Sequence, residues 1–168
     1  MKVGRAFAAG VVGALVMSVL MALARSMGMQ VNLEMMLGTM MGGPPSPTKW
    51  IMGFVMHLII GGLWALVYAA GFEYLTHRAS WAIGLGFALV HALIAGVFMG
   101  MMPAIHPLIP EMMPAPGAFM AHLGLMGVIA EFMLHLIYGA IVGAMYGPVV
   151  QRPFETRADA IGTGTRRH

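Results

Sequence analysis

Glu131 and His135 stand one helical turn apart inside GVIAEFMLHLIYGAIVGAMYG (Gly127–Gly147), a stretch otherwise almost wholly apolar. Ionisable groups in such a segment are costly, and they usually serve packing, a ligand or a proton path. Two further histidines occupy comparable stretches, His57 in GFVMHLIIGGLWALVY and His91 in GLGFALVHALIAG. Imidazoles, a carboxylate and thioethers make a donor set for a soft metal, copper above all, because thioether sulfur favours Cu(I). The candidate ligands of an interior metal site are His57, His91, Glu131 and His135, with Met17 and Met21. The chain holds 20 methionines. Met27, Met29, Met101 and Met102, with His106 and His122, form a second candidate set in the loops, placed to collect metal for the deeper one. Methionine is also a plain apolar filler, so these loops read equally well as membrane-contacting surface.

Other chemistries fit the same residues. His57 and His135 alone could hold a b-type haem by its two axial positions, with Gly61 and Gly139 leaving room beside the porphyrin. The neighbouring carboxylate of Glu131 suits that reading poorly. A proton or ion path through Glu131 and the histidines is a third use, though four short spans make a narrow conduit unless a homo-oligomer or larger membrane complex supplies more surface. The plainest use is interhelical glue, at about 0.6 kcal/mol per membrane hydrogen bond.

The elements that must position these groups are membrane helices. Hydrophobic types make up 60% of the 168 residues and charged types 9%, against about a quarter charged in a soluble domain. Four apolar runs, about 3–24, 50–72, 81–102 and 123–149, reach the roughly 20 residues a bilayer crossing needs. Trp50, Trp81 and Tyr74 lie near their ends, as interfacial aromatics do. The expected fold is an all-α, integral membrane four-helix bundle in one domain, 1–150, followed by a flexible cytoplasmic tail, 151–168. Lys2, Arg5, Arg78, Arg152, Arg157, Arg166 and Arg167 fall on one side of it, and only Arg25 and Lys49 on the other. The positive-inside rule then puts both termini in the cytoplasm. The first span, with ALA at Ala22–Ala24, also has the look of a signal peptide, but the internal repeat argues against removal.

That repeat appears when GVVGALVMSVLMA (Gly10–Ala22) is laid over GLGFALVHALIAG (Gly84–Gly96), and GFVMHLIIGGLWALVY (Gly53–Tyr68) over EFMLHLIYGAIVGAMY (Glu131–Tyr146). The chain reads as a helical hairpin duplicated in tandem, with its pseudo-twofold along the membrane normal. His57 then falls on His135 at equal depth, roughly 10 Å below the outer surface at 1.5 Å rise per residue. Stripes at i, i+4 (Gly127, Glu131, His135, Gly139, Gly143 and Gly53, His57, Gly61, Ala65) combine the polar groups with the small residues that let helices approach. All four polar groups are expected on one cavity opening outward.

Asn32 is placed to cap a short helix with Glu34 in its first turn, and Leu33, Met36, Leu37 and Met40 would form an apolar stripe lying in the membrane interface. MMPAIHPLIPEMMPAPG is too rich in proline for a helix and is expected to be an extended cap, with Pro116 near the start of the last helix. The chain has no cysteine and a net charge of +3, with the basic residues spread at the ends rather than gathered as a nucleic-acid patch. No phosphate loop, dinucleotide fingerprint, HExxH or nucleophile elbow is present, so an enzyme is not expected.

NLEMMLGTM, GFVMHLIIGGLWALVY and HLIYGAIVGAMYG together resemble small bacterial inner-membrane proteins of unknown function, loosely similar to the YagU-like membrane proteins. The resemblance covers most of Gly4–Gly147 and implies a bacterial four-helix inner-membrane protein, with no catalytic residues to carry over.

Overall fold

The computed structural model describes residues 1–30 and 32–149; the tail from 151 lies outside them. The chain forms α1 (Val3–Ser26), α2 (Leu33–Thr39), α3 (Pro47–Gly71), α4 (Trp81–Ile105) and α5 (Gly124–Tyr146). A π-helical turn, Phe72–Thr76, prolongs α3, and a 3₁₀ segment, Ala118–Leu123, leads into α5. Among the described residues there is no strand. All but α2 belong to segments long and apolar enough to cross a bilayer.

The helix ends follow from particular residues. Ser46 accepts from the amide of Lys49 at 3.2 Å, with Pro47 opening α3. Ser80 accepts from the amide of Ile83 at 3.2 Å and opens α4. Each hydroxyl satisfies one of the amides that a helix start leaves unpaired. α4 runs through Pro103 to Ile105, beyond the stop expected at Met102. Proline falls there in the last turn, and the amide of His106 still reaches the carbonyl of Met102 at 2.9 Å. Pro116 lies two residues before the 3₁₀ segment that leads into α5. Phe119 and Met120, both with positive φ, turn the chain first, and the ring of Phe119 fills the notch left by the missing side chain of Gly96.

In cross-section the order is α3, α1, α5, α4. Small residues bring the pairs together. On α1 and α3, Gly10 and Ala14 lie against Gly61 and Ala65; on α4 and α5, Gly84 and Ala88 lie against Gly139 and Gly143. A side chain at Gly10 or Gly84 would strike the backbone carbonyl of Gly61 or Gly139. α1 also packs along α5, whereas the backbones of α3 and α4 stand apart and the two helices meet through side chains, Tyr68 and Phe72 on Phe87 and Trp64 and Tyr68 on His91. The outer faces are aliphatic, with Leu15, Val19, Val55, Ile59, Leu63, Val90 and Leu93 all exposed. The inner faces carry the small and polar residues, the reverse of a soluble bundle.

One end of the bundle is sewn together by the chain start, the α3–α4 turn and the end of α5. The amide nitrogen of Lys2 bonds the hydroxyl of Tyr146 at 3.0 Å, and Arg5 donates to the carbonyl of Met145 at 2.6 Å. Tyr146 donates to Glu73 at 2.5 Å. Tyr68, Phe72, Phe87, Tyr138 and Tyr146 fill the adjoining core edge-to-face or tilted, with Tyr68 and Tyr138 centroids 5.6 Å apart. The opposite end carries both long loops and is less filled.

Candidate functional site

α2 decides the character of the loop end. Asn32 caps it, accepting from the amide of Met35 at 3.0 Å. Gly38 and Gly53 let it press on the start of α3, backbone to backbone. Met36 is buried, and Leu33, Leu37 and Met40 face inward on a cavity. The stripe expected to lie in the membrane interface therefore covers the interior instead, because the Gly38–Gly53 crossing turns it down onto the bundle. Glu34 is fully buried and takes Arg25 at 2.9 Å.

Beneath α2 lies a chamber of about 480 Å³, within the range of ordinary ligand pockets. His57, His91, Glu131 and His135 all line it, and so do Met17 and Met21. The six interior residues singled out in the sequence thus share one cavity. The expectation that it opens outward gives way to a different geometry. α2 and Met120 close the loop end, and the liners that are themselves exposed are Ile60, Ile94 and Phe98. All three belong to α3 or α4. The chamber opens sideways, between α3 and α4 on the loop side of the contact of Trp64 with His91.

The polar groups are held unequally. His57 meets Ser18 of α1 at 2.9 Å through Nδ1. His91 meets the hydroxyl of Tyr68 of α3 at 3.3 Å through Nδ1 and stacks on Trp64 with centroids 4.1 Å apart. Both bonds cross between helices. The Nδ1–H of His135 is spent within its own helix, on the main-chain carbonyl of Glu131 at 2.8 Å. Its Nε2 is therefore a lone-pair acceptor in the neutral ring. His91 stands edge-on to His135, centroids 4.7 Å apart. Glu131 is 2% exposed, and its Oε1 has no hydrogen-bond partner among the described residues. The nearest charge-bearing group, His135 Nδ1, is 3.6 Å away. No lysine or arginine lines the chamber.

The loop candidates do not assemble. Met27 and Met101 are exposed, Met102 is buried against Met36, Met99 and Ile109, and Met29 lines a smaller pocket that does not include the four interior polar groups. His106 is saturated: the amide of Leu108 donates to its Nδ1 at 3.1 Å, so Nε2 carries the proton, given to the carbonyl of Met36 at 2.9 Å. His122 is exposed and bonds the carbonyl of Ala115 at 3.0 Å. Among the described residues no three His, Asp or Glu side chains are grouped to hold a metal ion.

Sequence reasoning missed Ser18, Trp64, Tyr68 and Tyr138. Tyr138, one turn beyond His135, donates across the bundle to the carbonyl of Gly61 at 2.5 Å. Its spacing from His135 was the available signal.

Residues 1–156 match a family of unknown function, DUF6789. The chain belongs to that family. The match carries no activity with it and adds nothing on a YagU-like relation. No curated protein matches the chain, and no solved structure does. What the DUF6789 fold does must be read from the chamber itself.

Proposed function

We propose that this is a non-enzymatic, multi-pass inner-membrane protein whose interior chamber is a binding site for a small ligand, centred on Glu131 and His135. The observation that carries the reading is the state of Glu131: a buried carboxyl group on a cavity wall, with one oxygen unpartnered among the described residues and no lysine or arginine lining the chamber. Glue residues are bonded across helices, as His57 and His91 are. Glu131 and His135 are not, so packing does not account for them. The tandem duplication is part of this reading, supported by the like contacts of Gly10 with Gly61 and Gly84 with Gly139. By that duplication α3–α4 should pack as α1–α5 does; the departure from it is the open side of the chamber.

Heat stability distinguishes site from glue without knowledge of the ligand. An unpartnered buried carboxyl group is kept at a cost to stability, so Glu131→Met should raise the melting temperature in detergent, by about 1 kcal/mol or more in stability. His57→Phe, which breaks a bond between α3 and α1, should lower stability by about 0.6–1 kcal/mol. If Glu131→Met is destabilised like His57→Phe, the carboxyl group is interhelical glue, and the alternative reading, a structural or accessory subunit of a larger membrane complex, takes its place.

Copper remains the ligand to be tested first among metals, resting on Met17 and Met21 rather than on a histidine cluster. Calorimetric titration with Cu(I) should show uptake by the wild type that His135→Phe removes if copper is the ligand. Equal uptake by both proteins would take the chamber out of copper chemistry. A Soret band in the purified protein would turn the reading to haem.

Orientation follows from the basic residues at the sewn end. Reporter fusions after Tyr74 and at the C-terminus should read cytoplasm, and one near Pro45 the outside. An external C-terminus would overturn this topology.

A further inference from the structure

The geometry points to the class of ligand: a lipophilic ammonium ion that enters from the bilayer between α3 and α4 and takes Glu131 as its counter-charge. This rests on the chamber being a binding site and adds what it binds and how it is reached.

The entrance is set by which liners are exposed. Ile60 on α3 and Ile94 and Phe98 on α4 are 37%, 49% and 42% exposed while also facing the chamber. The remaining liners are buried or half-buried. Leu33, Leu37 and Met40 of α2, with Met120, close the loop end, and the aromatic core fills the bundle toward the other end. A solute reaching the chamber in this form passes apolar side chains at the level of the acyl chains. Such a solute needs an apolar portion of its own.

The head group is set by the donor count. His135 has spent its Nδ1 proton on a main-chain carbonyl and offers a lone pair at Nε2. Tyr138 has spent its hydroxyl proton on Gly61. Glu131 offers carboxylate oxygens, one of them unpartnered. The inner wall at α5 is therefore rich in acceptors and short of donors, and it lacks a cationic side chain. A carboxylate or phosphate head would meet Glu131 with nothing to neutralise either. An alcohol would bring one donor and no charge. A protonated amine brings several N–H donors and the missing positive charge, and charge-assisted bonds are the strong ones. Trp64 and Tyr138 also stand on the wall, and aromatic rings attract such a cation. The thioethers of Met17, Met21 and Met99 line the space for its apolar part.

The test uses the full chain in phosphatidylcholine nanodiscs, titrated calorimetrically with octylammonium, octanol and octanoate, with empty nanodiscs subtracted. Octylammonium should bind saturably at one site per chain, and octanol and octanoate should show partition into lipid only. Glu131→Gln, nearly isosteric, should weaken octylammonium binding by about thirtyfold or more, the usual consequence of removing one partner of a buried charge pair. Ile60→Trp with Ile94→Trp should slow octylammonium association severalfold, because these positions stand in the gap. Octanol or octanoate binding as tightly as octylammonium, with the binding lost in His135→Phe, would keep the chamber as a site and overturn the ammonium assignment. Undiminished octylammonium binding by Glu131→Gln would overturn it as well. Absence of saturable binding by all three probes would overturn the ammonium assignment; if Cu(I) uptake were also absent, and Glu131→Met less stable than wild type, the site reading itself would fall. The wild-type comparison of three probes of equal chain length does not depend on any variant folding.

Discussion

Gly139→Val is expected to yield protein that does not form a single species in detergent. A Cβ at Gly139 would overlap the carbonyl of Gly84 and the side chain of Ala88, and one at Gly84 would overlap the carbonyl of Gly139. Neither obstacle is a flexible side chain that could swing aside. α4 and α5 would have to separate along their shared length, and the edge-on contact of His91 with His135 would go with it. Overpacking against side chains costs about 1–3 kcal/mol, and more where backbone is the obstacle. Gly61→Val should behave alike on α1 and α3, since a Cβ there lies 2.6 Å from that of Ala14 and 3.0 Å from the carbonyl oxygen of Gly10. Gly86→Val is the control, because nothing lies within 4 Å of its Cβ position. Size-exclusion chromatography and helical circular dichroism on heating compare the three. A Gly139→Val protein that is monodisperse and melts with Gly86→Val would contradict the close crossing.

The same glycines show how far the sequence could be read. Their spacing, Gly53, Gly61 and Gly127, Gly139, Gly143, announced a packing face because only small residues let helix axes approach. Placing His57, Glu131 and His135 on that stripe was enough to bring them to the interior. The four spans were legible for a similar reason: run length against bilayer thickness leaves few alternatives. Their ends were less so. α3 begins three residues before Trp50, since Ser46 and Pro47 make a better helix start than the aromatic that marks the interface. α4 outlasts Met102 because one proline in a last turn forfeits little.

The direction in which the chamber opens was not legible. It depends on α2, whose stripe of Leu33, Leu37 and Met40 has the same periodicity whether it faces a membrane interface or a cavity. Only the backbone contact of Gly38 and Gly53 decides between them, and that pairing joins residues from two elements with no local signal of each other. The lateral gap is a second such case. A tandem duplication, as proposed, would give like packing at α1–α5 and α3–α4, and the difference in backbone approach has no local signal in the sequence. Loop methionines are ambiguous for a chemical reason. A thioether is equally at home as a ligand or as filler, and Met36, Met99 and Met102 pack with one another around Ile109.

Arg25→Ala is expected to be among the most damaging single changes outside the glycine crossings. Arg25 counts in the sequence as one of two basic residues at the loop end, but its role is local. Its Nη1 lies 2.9 Å from Oε2 of Glu34, a side chain with no exposure, whose Oε1 has no partner among the described residues. Removing the arginine leaves that carboxylate buried without a counter-charge, at a cost of about 3–5 kcal/mol. The reverse change is milder. In Glu34→Gln the arginine side chain, 21% exposed, can turn to water, and the amide replaces the carboxylate without a charge to bury. Arg25→Ala should therefore be much less heat-stable than Glu34→Gln, and the double variant should recover most of the difference. The damage should be local as well. α2 is pinned by Glu34 and by its contact at Gly53, so losing the pair should lift it off the chamber. The chain has no cysteine, which makes Leu37→Cys a single reporter on the inward face of α2. An aqueous maleimide should label Leu37→Cys faster in the Arg25→Ala background than in the otherwise native chain. Equal stability of Arg25→Ala and Glu34→Gln, or unchanged labelling at Leu37→Cys, would show that the pair is a surface ornament of α2 and that something else holds the cover in place.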